Sequence, residues 1–276
     1  TRTMVLVCCG FLFTSFVAAQ DVDKDGGGGV TVKQKIIGMY VHQHWGYNHP
    51  YAARTWTLED WEGYLEGLYL LGYNTVLIWP VLETMPNPLT ESDKANIEKI
   101  ARVIDIAHTR FNMAVYLTIS PNAAAKSEEA GKYTFQERPF FYCDYRVDPG
   151  DAGALGDLIR WREQLFRPLA AMDGLIIIDS DPGGYPGSTH VEFVYLLNAH
   201  RKMLDRLRKG IELVYWIHVG WEAYCRFYAT AEFAMGPDEE IEETIRLLAH
   251  QNPEPWGLTG GRPNIPMSMG YGDRTF

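Results

Sequence analysis

Between Lys35 and Gly220 the chain alternates apolar runs with stretches of helical spacing, and this alternation limits the fold more than any other feature. The runs are "KIIGMYVHQ" (35–43), "NTVLIWP" (74–80), "MAVYLTIS" (113–120), "GLIIIDS" (174–180) and "IELVYWIHVG" (211–220). Short, near-continuously apolar runs are strands covered on both faces, which means parallel pairing with helices outside. The stretches between them agree. Thr57 opens a helix with a capping-box pattern to Asp60, and Leu58, Trp61, Leu65 and Leu68 mark one face. Ile97, Ile100, Ala101 and Ile104 repeat that spacing in "NIEKIARVIDIAH" (96–108). "ALGDLIRWREQLF" (154–166) and residues 190–210, which close on Gly210, are the third and fourth helices. Farther on, "DEEIEETIRLLAH" (238–250) reads as a helix and "EPWGLTGG" (254–261) as a short sixth strand.

Two architectures accommodate such a repeat, a (β/α)8 TIM-type barrel and an open doubly wound sheet. No G-x-G-x-x-G follows the first strand, as a dinucleotide-binding sheet requires. Polar and aromatic residues instead gather after nearly every strand: "HQHW", "WPVLE", "SPN", "DSD" and "HVGWE". Barrel enzymes build their sites from such strand ends, so the expectation is an α/β chain of the barrel type. A full barrel has eight strands. Only about six are legible, and "GRPNIPMSMGYGDRTF" (261–276) is too short for two more strand–helix units, so the barrel is expected to be incomplete, spanning 35–262 with a tail at 263–276.

Residues 1–19 read as a secretory signal: Arg2 supplies charge, "VLVCCGFLFTSFV" the apolar stretch, and small residues end it at Ala19. An uncleaved anchor is the alternative. Cleavage would make the protein secreted or periplasmic, with no membrane insertion afterwards. Residues 20–34, with four consecutive glycines, form a flexible linker. Cys143 and Cys225 then remain, as one disulfide or two buried thiols. The net charge of -10 argues against nucleic acid or anionic membrane as a main partner and leaves neutral polar ligands open.

Asp179 and Asp181 stand where the fourth strand runs out. Alternate strand residues share a face, so both carboxylates can aim at one pocket. Two such acids repel when ionised, which raises one pKa and keeps a proton available for general-acid work. The structural alternative has Asp181 capping the following turn while Asp179 holds a nearby Arg or Lys. In "DPGGYPG" (181–187) the Pro and Gly residues shape that turn, and Gly183 and Gly184 would also admit a ligand close to the backbone.

His42 and His44 form H-x-H after strand one, and His218 ends strand five. They fit a metal-dependent barrel hydrolase, donors to a polar substrate, or partners for rim backbone. Trp45, Tyr47, Trp79, Trp216 and Trp221 lie at or just past strand ends, where flat apolar rings stack on sugar C–H faces. Trp216 also reads as a core residue, and Trp56, Trp61 and Trp161 as packing residues. Glu83, Asn122 and Glu222 are candidates for hydroxyl recognition or a second carboxylate.

From about Ile36 to Gly260 the pattern resembles barrel glycoside hydrolases, most nearly the β-hexosaminidase group (glycoside hydrolase families 20 and 84). The likeness is carried by "IIGMYVHQHW…ARTW", by "LEDWEGYLEGLYLLGYNTVLIWP" and by the strand-four acid pair. The resemblance implies a carbohydrate substrate, Asp181 as general acid, Asp179 orienting the substrate's acetamido group as internal nucleophile, and Arg54 contacting ring hydroxyls. In that group the two acids are adjacent, whereas here Ser180 separates them.

The leading expectation is therefore a secreted glycosidase for a neutral or N-acetylated sugar, using no metal and no cofactor. Asp179 and Asp181 are its catalytic pair. His42, His44, Trp45, Arg54, Trp79, Glu83, Asn122, His218, Trp221 and Glu222 are its substrate-binding candidates. A metal-dependent hydrolase using His42, His44 and His218, and a non-catalytic carbohydrate-binding barrel, are the alternatives.

Overall fold

A computed structural model describes residues 36–43, 52–125, 127–138, 145–178, 189–217 and 267–269. The signal and linker, Cys143, Cys225 and the helix expected at 238–250 lie outside the described residues. Four long helices lie within them, each opened by a side-chain cap. In α1 (Leu58–Leu70) the Thr57 hydroxyl accepts from Asp60 N at 3.2 Å and the Asp60 carboxylate accepts from Thr57 N at 2.9 Å. These reciprocal bonds satisfy amide groups that a helix start leaves orphaned. Gly72, at φ 87°, then turns the chain in a conformation that any Cβ would strain. Helix α2 (Glu91–Phe111) begins earlier than its apolar stripe suggests, because Thr90 and Asp93 form a second capping box. Asp151 caps α3 (Ala152–Phe166), and Thr189 with Glu192 caps α4 (His190–Leu207).

Among the described residues six strands form one sheet: β1 (Gly38–His42), β2 (Thr75–Trp79), β3 (Ala114–Ile119), β4 (Gly174–Ile178), β5 (Glu212–Ile217) and β6 (Met267–Met269). Every pairing is parallel, and the strands lie side by side in chain order. A doubly wound sheet reverses its order at a switch point. This one never does, which is the winding of a (β/α) barrel. The strand paired with β5 on its far side is Met267–Met269, within the segment read as a tail. Its three residues, Met-Ser-Met, carry no β-branched signal, so only pairing with β5 reveals it. "EPWGLTGG" lies outside the described residues.

The register divides the sheet into two faces. Val76, Ile78, Val115, Leu117, Leu175, Ile177, Leu213 and Tyr215 share one face and are buried. Phe193 of α4 stacks on Tyr215 at 4.9 Å, which identifies this face as the one beneath the helices. Each such side chain contributes about 1.5–3 kcal/mol through burial. The other face carries Tyr40, His42, Thr75, Tyr116 and Thr118 among its apolar residues, and it curls inward. The ring of Tyr40 on β1 lies 5.4 Å from that of Trp216 on β5. Four strand spacings in a flat sheet would hold them about 19 Å apart. The sheet is therefore bent as a barrel wall.

Packing on the inner face explains Gly174. The Tyr116 ring crosses over β4 so that its hydroxyl donates to Glu212 on β5 at 2.6 Å. A Cβ at position 174 would stand 2.4 Å from that ring.

The long connection between β3 and α3 contains a ribbon pairing Ala123–Ala124 with Tyr145–Arg146 and a short helix, Ser127–Ala130. Arg138 pins it down. Its guanidinium donates to both oxygens of Asp93, at 2.7 and 3.0 Å, and to Ala130 O, with both side chains fully buried. Asp93 thus serves the α2 cap and this loop at once.

Candidate functional site

Strands β1, β2 and β5 bring together a cluster of rings. His42 ends β1 and Trp79 ends β2, and the two are register partners. Their rings lie 4.7 Å apart in a tilted stack. Tyr40, two residues below His42 on the same face, meets it edge-on at 6.2 Å and reaches Trp216 on the other side. Four rings from three strands therefore line the inner face continuously. All but Tyr40 are buried.

Behind this floor lies a polar wall. After β1, Gln43 N donates to Trp79 O at 3.2 Å and Arg54 N to Gln43 O at 3.3 Å, which folds residues 52–56 against β2. Lys99 of α2 caps the same turn by donating to Trp56 O at 2.9 Å. Arg54 is buried in this wall, 2% exposed.

Glu83 has the most specific surroundings. One carboxylate oxygen, Oε1, accepts from the Trp79 indole N–H at 2.8 Å and from the Ser120 amide at 2.8 Å. The other, Oε2, is buried with no hydrogen-bond partner among the described residues. Burial raises the Glu83 pKa, against the pull of the donated amide hydrogens, the Arg162 charge and the Trp79 N–H.

Arg162 stands across a small cavity from Glu83, walled by Ile119, Leu158, Trp161 and Leu165. It projects from the buried stripe of α3 and donates to Pro121 O at 2.5 Å, Ser120 O at 2.9 Å and Ala123 O at 3.2 Å. It also meets His200 Nε2 at 2.8 Å. His200 Nδ1 lies 2.7 Å from Leu196 O, so Nδ1 carries the proton and Nε2 accepts from the guanidinium. Burial and then the Arg162 charge push the His200 pKa down to about 3, while burial lowers Arg162 to about 10. The imidazole is neutral and the guanidinium charged at neutral pH. Residues 120–123, directly after β3, are thus gripped from both sides, by a carboxylate on their amide and a guanidinium on their carbonyls.

Asn122 sits within that grip. Its Nδ2 donates to Val147 O at 2.8 Å and its own carbonyl accepts from Val147 N at 3.0 Å, which ties the β3 end to the ribbon. Its Oδ1 has no partner among the described residues, and the same holds for Gln43 Nε2, Asn96 Oδ1, Thr118 Oγ1 and Ser120 Oγ. Buried polar atoms are seldom left unpaired. Their concentration here marks this end of the sheet as the place where solvent, a ligand or the following segments must supply partners.

Of the residues singled out from sequence, His42 and Trp79 meet at the ring floor, and Arg54, Glu83 and Asn122 stand in the wall behind it. Asp179, Asp181, His44, Trp45, Tyr47, His218, Trp221 and Glu222 lie outside the described residues. No group of three His, Cys, Asp or Glu side chains that could hold a metal occurs among the described residues. No helix among them is long and apolar enough to cross a membrane. Sequence reasoning missed Gln43, Asn96, Ser120, Arg162 and His200. A signal existed for two of them. Arg162 and His200 occupy apolar-stripe positions, between Leu158 and Leu165 on α3 and between Leu196 and Met203 on α4.

No family model matches the chain, and no curated protein matches it. Solved structures do. A GH5_18 protein from Bifidobacterium longum, in complex with Manβ1-4GlcNAc, is similar at 15% identity and a TM-score of 0.44, covering 66% of this chain and 43% of its own. A GH5_18 protein from Streptomyces cattleya in complex with GlcNAc gives 15% and 0.44, covering 66% and 44%. A glycoside hydrolase family 20 β-N-acetylglucosaminidase gives 13% and 0.40, covering 69% and 43%. The chain spans less than half the length of these proteins. The class of the chain rests on its own sheet: parallel, wound in one direction, curled, with helices outside and a ring-lined inner face.

Proposed function

We propose that this chain is the barrel portion of a secreted glycoside hydrolase acting on a neutral or N-acetylated sugar. The observation that carries the reading is the inward floor of rings formed by Tyr40, His42, Trp79 and Trp216 at the strand ends. Aromatic faces stack on sugar C–H groups, and in this floor Tyr40 is the ring that keeps partial exposure, with His42, Trp79 and Trp216 buried beside it. Asp179 follows Ile178, the last residue of β4, and so enters the chain where a barrel places its chemistry. In this reading the Asp181 carboxyl gives its proton to the glycosidic oxygen as the C–O bond breaks. Asp179 orients the acetamido group whose oxygen attacks the anomeric carbon, and water then opens that intermediate and restores the proton.

The test is hydrolysis of aryl glycosides, N-acetylated and not, by the full chain and by Asp181→Asn. Activity that falls about a hundredfold or more in a folded variant supports the role of a general acid. Equal activity in both proteins removes it. Saturable sugar binding without turnover in the parent points to the non-catalytic reading instead.

A further inference from the structure

We propose that Glu83 is a positioning residue, which locks the Trp79 indole and the Ser120 backbone into one fixed relation and thereby sets the geometry of the ring floor. The consequence for sugar rests on the carbohydrate reading, whereas the locking itself does not. Both donors converge on the same oxygen, Oε1, at 2.8 Å each. They come from neighbouring strands, since Trp79 ends β2 and Ser120 directly follows β3. Trp79 has the His42 ring 4.7 Å from its own, so the pose of the indole also sets what the imidazole meets.

An independent sign is the backbone that delivers Glu83. Val81 is buried at φ 49°, ψ 43°, the left-handed region that β-branched residues avoid. The strain is held by Thr84, whose amide and hydroxyl donate to Val81 O at 3.1 and 2.9 Å. Such strain persists only where surrounding structure over-determines it. Here the short turn Leu82–Thr84 brings the Glu83 carboxylate back over the end of β2. Cavity and wall then fix it, with Arg162 supplying opposite charge from α3.

The experiment uses the full chain without sugar. Two signals are read: the Trp79 part of the fluorescence, as the difference between parent and Trp79→Phe under acrylamide quenching, and hydrogen exchange at the Ser120 amide. Glu83→Leu removes the acceptor, so quenching of Trp79 rises and Ser120 exchange quickens by about tenfold, as expected for a lost buried hydrogen bond. Glu83→Gln keeps an amide oxygen in place of Oε1 and restores both signals. If Glu83→Leu does not fold, Glu83→Asp decides, because a shortened carboxylate cannot reach both donors. A folded Leu or Asp variant with parental signals overturns the proposal, as does a Gln variant that behaves like Leu. With an aryl glycoside present, Glu83→Leu raises KM more than it lowers kcat. If the chain handles no sugar at all, the glycosidase reading fails while the fluorescence and exchange arms still decide this one.

Discussion

The rings of Tyr40 on β1 and Trp216 on β5 meet edge to face, 5.4 Å apart and at 87°, although three strands separate them along the sheet. This contact closes the inner face of the wall. Trp216→Ala is expected to cost about 3–5 kcal/mol, because a large, nearly buried ring leaves a cavity. A double-mutant cycle with Tyr40→Ala should give a coupling of about 0.5–1.5 kcal/mol, the size of an aromatic pair. Urea unfolding measures both. Strict additivity would mean the two rings do not touch in solution.

Arg162 satisfies three backbone carbonyls after β3, and those acceptors stay buried if the guanidinium is lost. Arg162→Met therefore destabilises by at least about 3 kcal/mol, at about 1–3 kcal/mol for each orphaned group. A change below 1 kcal/mol in urea midpoint analysis, on the order of a surface substitution, would contradict the grip on residues 120–123.

His200 gives stability a pH signature. Unfolded, it binds a proton below its ordinary value of 6.5, while folded it stays neutral down to about 3. Between those values the unfolded state holds the extra proton, so stability falls as pH drops. The slope from this group is about 1.4 kcal/mol per pH unit. His200→Gln removes it. Parent and variant unfolded in urea at pH 7 and pH 5 should differ by about 2 kcal/mol in how much stability they lose. Parallel losses would mean that His200 titrates normally.

The Asp93–Arg138 pair fixes the loop after β3 to the start of α2 with both partners fully buried. Asp93→Asn leaves the guanidinium without its counter-charge, a loss of about 3–5 kcal/mol. Because Lys132 lies in the pinned loop, trypsin should cut after it sooner in the variant than in the parent.

Gly174→Ala places a Cβ 2.4 Å from the Tyr116 ring and should displace that ring from Glu212. The expected cost is about 1–3 kcal/mol, as for other overpacked sites. Tyr116→Ala in the same chain should relieve most of that penalty.

Much of the fold was legible in the sequence, because apolar runs and helical stripes report burial directly. The Thr57 capping box appears as written, and Trp61, Leu65 and Leu68 are buried as expected. Other features were hidden for physical reasons. The early start of α2 depends on Thr90 and Asp93, polar residues outside any stripe. The strand Met267–Met269 depends on a tertiary pairing rather than local propensity. In the site, His42 and Trp79 could be placed at strand ends by counting along strands. Glu83 was visible as an acid after β2, but its double acceptance from Trp79 and Ser120 depends on a strained turn at Val81 that no local pattern announces.

The most direct measurement of the central claim is the kcat/KM of the full chain on an aryl N-acetylglycoside, compared with that of Asp181→Asn at equal fold content. Turnover by the parent is expected, with a loss of about a hundredfold or more in the variant, the range for a missing general acid. Turnover unchanged by the substitution would contradict the claim.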